Sequence, residues 1–330
     1  MNDPCDSDSA FGVLDFLAWD HAKFRHHYRD EEIEKSLDLM KDAGVGFVRF
    51  DFLWEDLEPE QGRFAFAKYD RIVDAAHKRG IKILGILAYN PAWAGVPWNH
   101  APDVVRYGHF ARNVVNHFKD RVRHWQIWHE PDNPAFWHPE DQMQRYTLLL
   151  QHVYVLLKSV DPTCIIHLGG VSQALPMCLK NIYEKGGRLF FDVVDIHPFA
   201  NPLVPDALDG LRFLHQTVSA VLKKYGDEEK PIWFTEIGCP GVKDPKAAAN
   251  WWLGKNPTEE DQARWVQTVY GEPLTWKNVK KIFWCFFRDT DDHFKSGSDY
   301  DGLIRHDFSK KPSFEAYREM SAPRTLPAAL

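Results

Sequence analysis

No run of five like charges occurs in the 330 residues, and 40 lysines and arginines face 47 aspartates and glutamates, a formal charge of −7. That balance argues against a nucleic-acid partner. No apolar run approaches the roughly 18 residues of a membrane span, so no membrane partner is expected either. The five cysteines (Cys5, Cys164, Cys178, Cys239, Cys285) are scattered and form no CxxC pair, which supports neither a zinc site nor a disulfide framework. His26, His27, His138 and His293 lack the HxH or HExxH spacing of a metal hydrolase, and GxGxxG is missing. No metal and no cofactor is therefore expected. The first six residues have no basic segment and no apolar core of a signal peptide. A cytoplasmic protein is the expectation, although a secreted one stripped of its leader would read the same.

Aromatic residues are abundant, with 13 Trp, 11 Tyr and 22 Phe. Flat rings can fill a core, and they also stack on the apolar face of a pyranose.

Short apolar runs alternate with amphipathic stretches along the chain. The runs are 11–19, 46–51, 81–88, 122–128, 164–169, 193–197, 231–236 and 281–287. The stretches predicted as helices are 30–43, 67–79, 102–120, 141–160, 176–185, 206–225, 258–270 and 313–320. Thr258 with Asp261 resembles a capping box. Eight strand–helix units at intervals of about 30–45 residues predict parallel strands with crossover helices. Several strands are apolar on consecutive residues, as strands covered on both faces are. The expected fold is α/β, a single (β/α)8 TIM barrel over 1–320, with 321–330 as a flexible tail. An open doubly wound sheet would carry a Gly-rich turn after its first strand.

In such a barrel the chemistry sits at the C-terminal strand ends. Glu130 ends the fourth strand and Glu236 the seventh, each after an apolar run. Two glutamates across a barrel mouth suit glycoside hydrolysis, one protonating the leaving oxygen and the other attacking the anomeric carbon. The residues alone equally allow two structural carboxylates bonded to Arg49 or Arg288.

Trp128-His129-Glu130-Pro131-Asp132-Asn133 resembles the Trp-Asn-Glu-Pro-Asp-Asn signature of clan A retaining glycosidases, most closely glycoside hydrolase family 39 and related cellulase-like barrels. Trp54-Glu55-Asp56-Leu57-Glu58-Pro59, with Gly62, Tyr69 and Asp70, is similar to a common pattern after the second strand in this clan, and the likeness covers nearly all of the chain. The resemblance implies Glu130 as general acid/base and Glu236 as nucleophile. It also implies Arg49 beneath the nucleophile, holding it ionised, and Trp284 flooring the −1 subsite. Two departures stand out. His129 replaces the usual Asn that bonds the sugar 2-OH, and His197-Pro198-Phe199 lacks the tyrosine hydroxyl of the usual His-x-Tyr. The missing hydroxyl leaves the nucleophile one hydrogen bond poorer unless His197 or Tyr89 supplies it.

Further substrate-binding candidates are Tyr89 and Asn90 at the third strand end. Candidate stacking platforms are Trp54, Trp93, Trp98, Phe136, Trp137, Trp251, Trp252 and Phe294, with Trp98 and Trp137 the better placed. The acidic loop of Asp289, Asp291, Asp292, Asp299 and Asp301 reads as a polar rim or subsite wall, and Cys239 and Cys285 as packing residues. The expected substrate is a β-linked oligosaccharide or polysaccharide, cleaved through a covalent glycosyl–enzyme intermediate. A transglycosidase on the same site and an inactive carbohydrate-binding barrel are the alternatives.

Overall fold

The computed structural model describes residues 9–20, 28–141, 143–172, 175–244 and 255–322. Eight strands form the barrel: β1 (Phe11–Leu14), β2 (Phe47–Leu53), β3 (Lys82–Ala88), β4 (His124–Ile127), β5 (Ile165–His167), β6 (Val194–Ile196), β7 (Ile232–Ile237) and β8 (Val279–Cys285). Between and after them lie α1 (Asp30–Asp42), the one-turn α2 (Trp54–Leu57), α3 (Ala67–Lys78), α4 (Val104–Phe118) and α5 (Gln144–Val160). Helices α6 (Leu175–Glu184), α7 (Ala207–Lys224), α8 (Glu259–Gly271) and α9 (Pro312–Ser321) complete the ring.

All named strand pairs are parallel, in the order β5-β4-β3-β2-β1-β8-β7-β6. The bridges His167–Val193 and Val171–Ile196 join the two ends and close the barrel. The eight expected strand–helix units are therefore present, with boundaries shifted by a few residues. Strand β1 stops at Leu14 rather than reaching Trp19, because Phe16 to Trp19 turn away to build the rim. Ser321, the first residue of the predicted tail, is the last residue of α9, and 323–330 fall outside the described residues.

Consecutive apolar residues bury both faces of the strands. Inward, Phe47, Leu84, Ile165, Val193, Trp233 and Phe283 form one fully packed layer, while the outward face packs on the helices. The capping box at α8 is formed as expected: the Thr258 hydroxyl accepts from Asp261 N–H and the Asp261 carboxylate accepts from Thr258 N–H. The inner layer plugs the barrel from below, so the open end at the C-terminal strand ends is where a ligand can enter.

Candidate active site

Strand alternation decides what reaches the barrel mouth. On β2, Arg49 points inward and is completely buried. Its Nη1 donates to Glu236 Oε1 at 2.7 Å, its Nε to Gln126 Oε1 at 2.8 Å, and Nη2 lies 3.2 Å from His129 Nδ1. A guanidinium never gives up its proton, so His129 Nδ1 is the acceptor and Nε2 carries the hydrogen. Burial pushes the His129 imidazole well below its usual pKa, which fits this neutral tautomer.

Glu130 stands where β4 breaks. Trp128 and Glu130 both adopt left-handed φ values, 64° and 40°, conformations that cost about 1–3 kcal/mol each and concentrate at functional sites. The Glu130 carboxylate is held at both oxygens. Asn133 Nδ2 donates to Oε2 at 2.6 Å, and His197 Nδ1 sits 2.7 Å from Oε1.

His197, at the end of β6, places one nitrogen toward each glutamate: Nδ1 bonds Glu130, and Nε2 faces Glu236 Oε1 at 3.7 Å. That second distance is too long for a hydrogen bond, and Nε2 has no protein partner. Burial lowers the His197 pKa to about 3, so the ring is neutral. Gly170 makes room for it. A Cβ there would lie 2.2 Å from His197 Nε2, and the glycine already has φ +69°.

Neither His197 nor Tyr89 makes a hydrogen bond to Glu236 in place of the missing tyrosine hydroxyl. Cys285 lies nearest to the free oxygen instead, its Sγ 3.9 Å from Oε2, a weak contact for a weak donor. Trp284 and Cys285 also correct the sequence expectations. Trp284 is fully buried, donates from Nε1 to Asp301 O and does not floor the cavity. Strand alternation turns it outward and brings Cys285 to the cavity wall instead, so that cysteine is more than packing.

Other candidates divide in the same way. Tyr89 lines a narrow cavity beside His129. Trp98, half exposed, meets the edge of Tyr89 at 5.1 Å between ring centres. Asn90 does not face the cavity: its Nδ2 donates to Pro97 O and His100 O, fastening the loop that carries Trp98. Trp54 is buried in α2, donating to Glu58 Oε2 at 2.6 Å and stacking on Phe110. Trp137 is buried against Trp128 and Tyr146. Neither offers a ring face to a sugar, because the long loops use these indoles to pack against the barrel. Trp93 donates to Glu58 O, whereas Phe136 and Phe294 reach the narrow cavity. Trp251 and Trp252 lie outside the described residues. Arg288 touches neither glutamate and instead covers the rings of Tyr28 and Phe308.

Sequence reasoning did not single out Gln126, Asn133, Cys285 or Asp51 for the site. Asn133 carried a signal, three residues past Glu130 in the quoted motif. Asp51, two residues past Arg49, accepts from Trp19 Nε1 at 2.9 Å, and burial raises its carboxyl to about 6. Of the acidic loop, Asp289 pairs with Lys311, Asp299 bonds Thr290, and Asp301 alone lines the cavity at the two glutamates. Burial holds the Asp301 carboxyl well above the ordinary range.

His129, His197 and Glu236 bring potential ligand atoms within 4.8 Å of one another. Arg49 already bonds two of the three, so a cation there would compete with a buried guanidinium.

The cleft has two arms that share Glu130, Glu236, Phe286 and Phe294. The wide arm holds about 670 Å³ and the narrow arm about 150 Å³.

A glycoside hydrolase 42 family model, described as beta-galactosidase, matches residues 24–132. Beta-glucosidase 25 of Oryza sativa subsp. japonica is 27% identical over 197 residues, covering 54% of this chain and 38% of the relative. A family 39 glycoside hydrolase from Bacteroides cellulosilyticus WH2 superposes with a TM-score of 0.75 at 24% identity, covering 96% of this chain and 64% of that one. A monomeric beta-xylosidase from Caulobacter crescentus CB15 gives 0.72 at 18%, covering 96% and 68%. The chain thus spans less than half the length of the rice relative, and the solved structures share its fold.

Proposed function

We propose, starting from its place among the clan A glycoside hydrolase barrels with a family 39-like fold, that this chain cleaves β-linked glycosides with net retention. Glu236 attacks the anomeric carbon. Glu130 protonates the departing oxygen, then takes the proton from the water that releases the glycosyl enzyme. The observation that carries this reading is the asymmetric setting of the two carboxylates around one neutral imidazole. Glu236 is bonded at 2.7 Å to the buried Arg49 guanidinium, which fixes its carboxylate at the barrel mouth. The Glu130 carboxylate instead meets the uncharged Asn133 amide and His197 ring. His129, neutral and with Nε2–H left over, is suited to donate to a sugar hydroxyl, the part the family gives to asparagine. A cleft open at the barrel mouth admits the β-linked glycoside that this reading requires.

The test is turnover of aryl β-glycosides and β-linked polysaccharides by the wild type, Glu236→Ala and Glu130→Ala, with the first-formed anomer read by proton NMR. Retention, loss of activity in Glu236→Ala, and a Glu130→Ala defect that grows as the leaving group worsens support the assignment. Inversion, or full activity in Glu236→Ala, refutes it. Sugar binding with no turnover of any substrate would favour a binding barrel.

A further inference from the structure

The two arms of the cleft differ in chemistry. The narrow arm brings Asp51, Tyr89 and His129 to its wall among the rings of Phe16, Trp19, Phe50 and Phe136, a mixed lining that offers hydroxyl partners and flat faces for a sugar. The wide arm has polar groups beside the glutamates, among them Ser172, Ser298 and Asp301. Its far wall is different. Leu175, Pro176 and Met177 follow β5, Pro198 and Phe199 follow β6, and Leu214 comes from α7. Among the described residues none of this wall carries a charge or a side-chain hydrogen-bonding group. A second sugar placed against it would lose hydration of its hydroxyls without protein partners in return. An apolar ring there would instead bury hydrocarbon against hydrocarbon. Met177 is 55% exposed at the lip, where an unbranched thioether adapts to varied apolar shapes. The arm also reaches Glu130, the group assigned to protonate the leaving oxygen.

We infer that the wide arm is an aglycone site for an aromatic or alicyclic group, so that the preferred substrates are β-glycosides of apolar alcohols or phenols rather than β-linked oligosaccharides. This rests on the glycosidase reading. The sugar occupies the narrow arm, the glycosidic oxygen lies at Glu130, and the apolar aglycone lies against Leu175, Met177, Phe199 and Leu214.

Two sets of compounds test it, each on glucose, xylose and galactose. The first compares kcat/KM for benzyl, cyclohexylmethyl and methyl β-glycosides and for the matching β-1,4 disaccharides, whose leaving groups are all alkoxides. The benzyl and cyclohexylmethyl compounds are expected to exceed the methyl compound by about 10–100-fold, and the disaccharide to fall below them. Met177→Ser and Leu214→Ser should each cut that advantage by about 3–10-fold while leaving the methyl glycoside unchanged. Disaccharide turnover equal to or above the benzyl compound overturns the inference. The second set uses uncleaved benzyl and methyl 1-thio-β-glycosides, titrated calorimetrically into the wild type. If no glycoside is hydrolysed yet the benzyl thioglycoside binds about tenfold tighter than the methyl one, the glycosidase reading fails and the apolar site stands. Equal binding of the two removes the site whatever the enzyme's activity.

Discussion

Replacing Arg49 by methionine isolates the electrostatic core of the site. The guanidinium is fully buried, and the Glu236 carboxylate it bonds at 2.7 Å is 8% exposed. Removing one partner of a buried pair leaves the other charge without compensation and typically costs about 3–5 kcal/mol. Gln126 Oε1 and His129 Nδ1 lose their donor as well. With about 2.1 cal/mol/K of unfolding entropy per residue over the 330-residue chain, the melting temperature should drop by about 4–7 °C. Glu236→Gln removes the carboxylate charge while keeping its shape and strands Arg49 instead. The double variant, with neither charge, should be less destabilised than the two singles together by about 1–3 kcal/mol. Urea unfolding of the four proteins of this cycle measures it. Single effects that add to within about 0.5 kcal/mol, or an unchanged melting temperature for Arg49→Met, would refute the argument that this pair organises the site.

Two further outcomes follow from buried groups. Burial lifts the Asp15 carboxyl from 3.8 to about 7, against the opposing pull of its bonds from Tyr28 and Phe16. Between pH 4 and 7 the unfolded chain therefore holds fewer protons than the native one, and Asp15 lowers stability as pH rises. Asp15→Asn should match the wild type below pH 4 and gain on it to a plateau on the order of 4 kcal/mol above pH 7, read as the difference between two curves of melting temperature against pH; a constant difference contradicts the assignment. Gly170→Ala would force His197 away from the glutamates. It should lower kcat/KM by about 10–100-fold, the scale of a misplacement near 1 Å; unchanged kinetics would show that His197 does not position Glu130.

The barrel was legible in the sequence because each of its signals is local. Apolar strands, amphipathic helices and the Thr258–Asp261 cap are set by neighbours a few residues apart, and their spacing alone predicted eight parallel units. Glu130, Glu236 and Arg49 were found for the same reason, since strand position places a residue at the mouth of a barrel. Which face of a strand end meets the cavity is not local. Trp284 and Cys285 are adjacent in sequence, and only the twist and register of β8 against β7 and β1 turn the indole into the wall and the thiol toward Glu236. The loop tryptophans share that limit. Trp54 and Trp137 looked like platforms and are core, while Trp98 stays at the rim because Asn90 pins its loop to backbone carbonyls. Sequence determined the chemistry available at the mouth, and tertiary packing decided which side chains face it, because burial is settled by contacts between residues far apart in the chain.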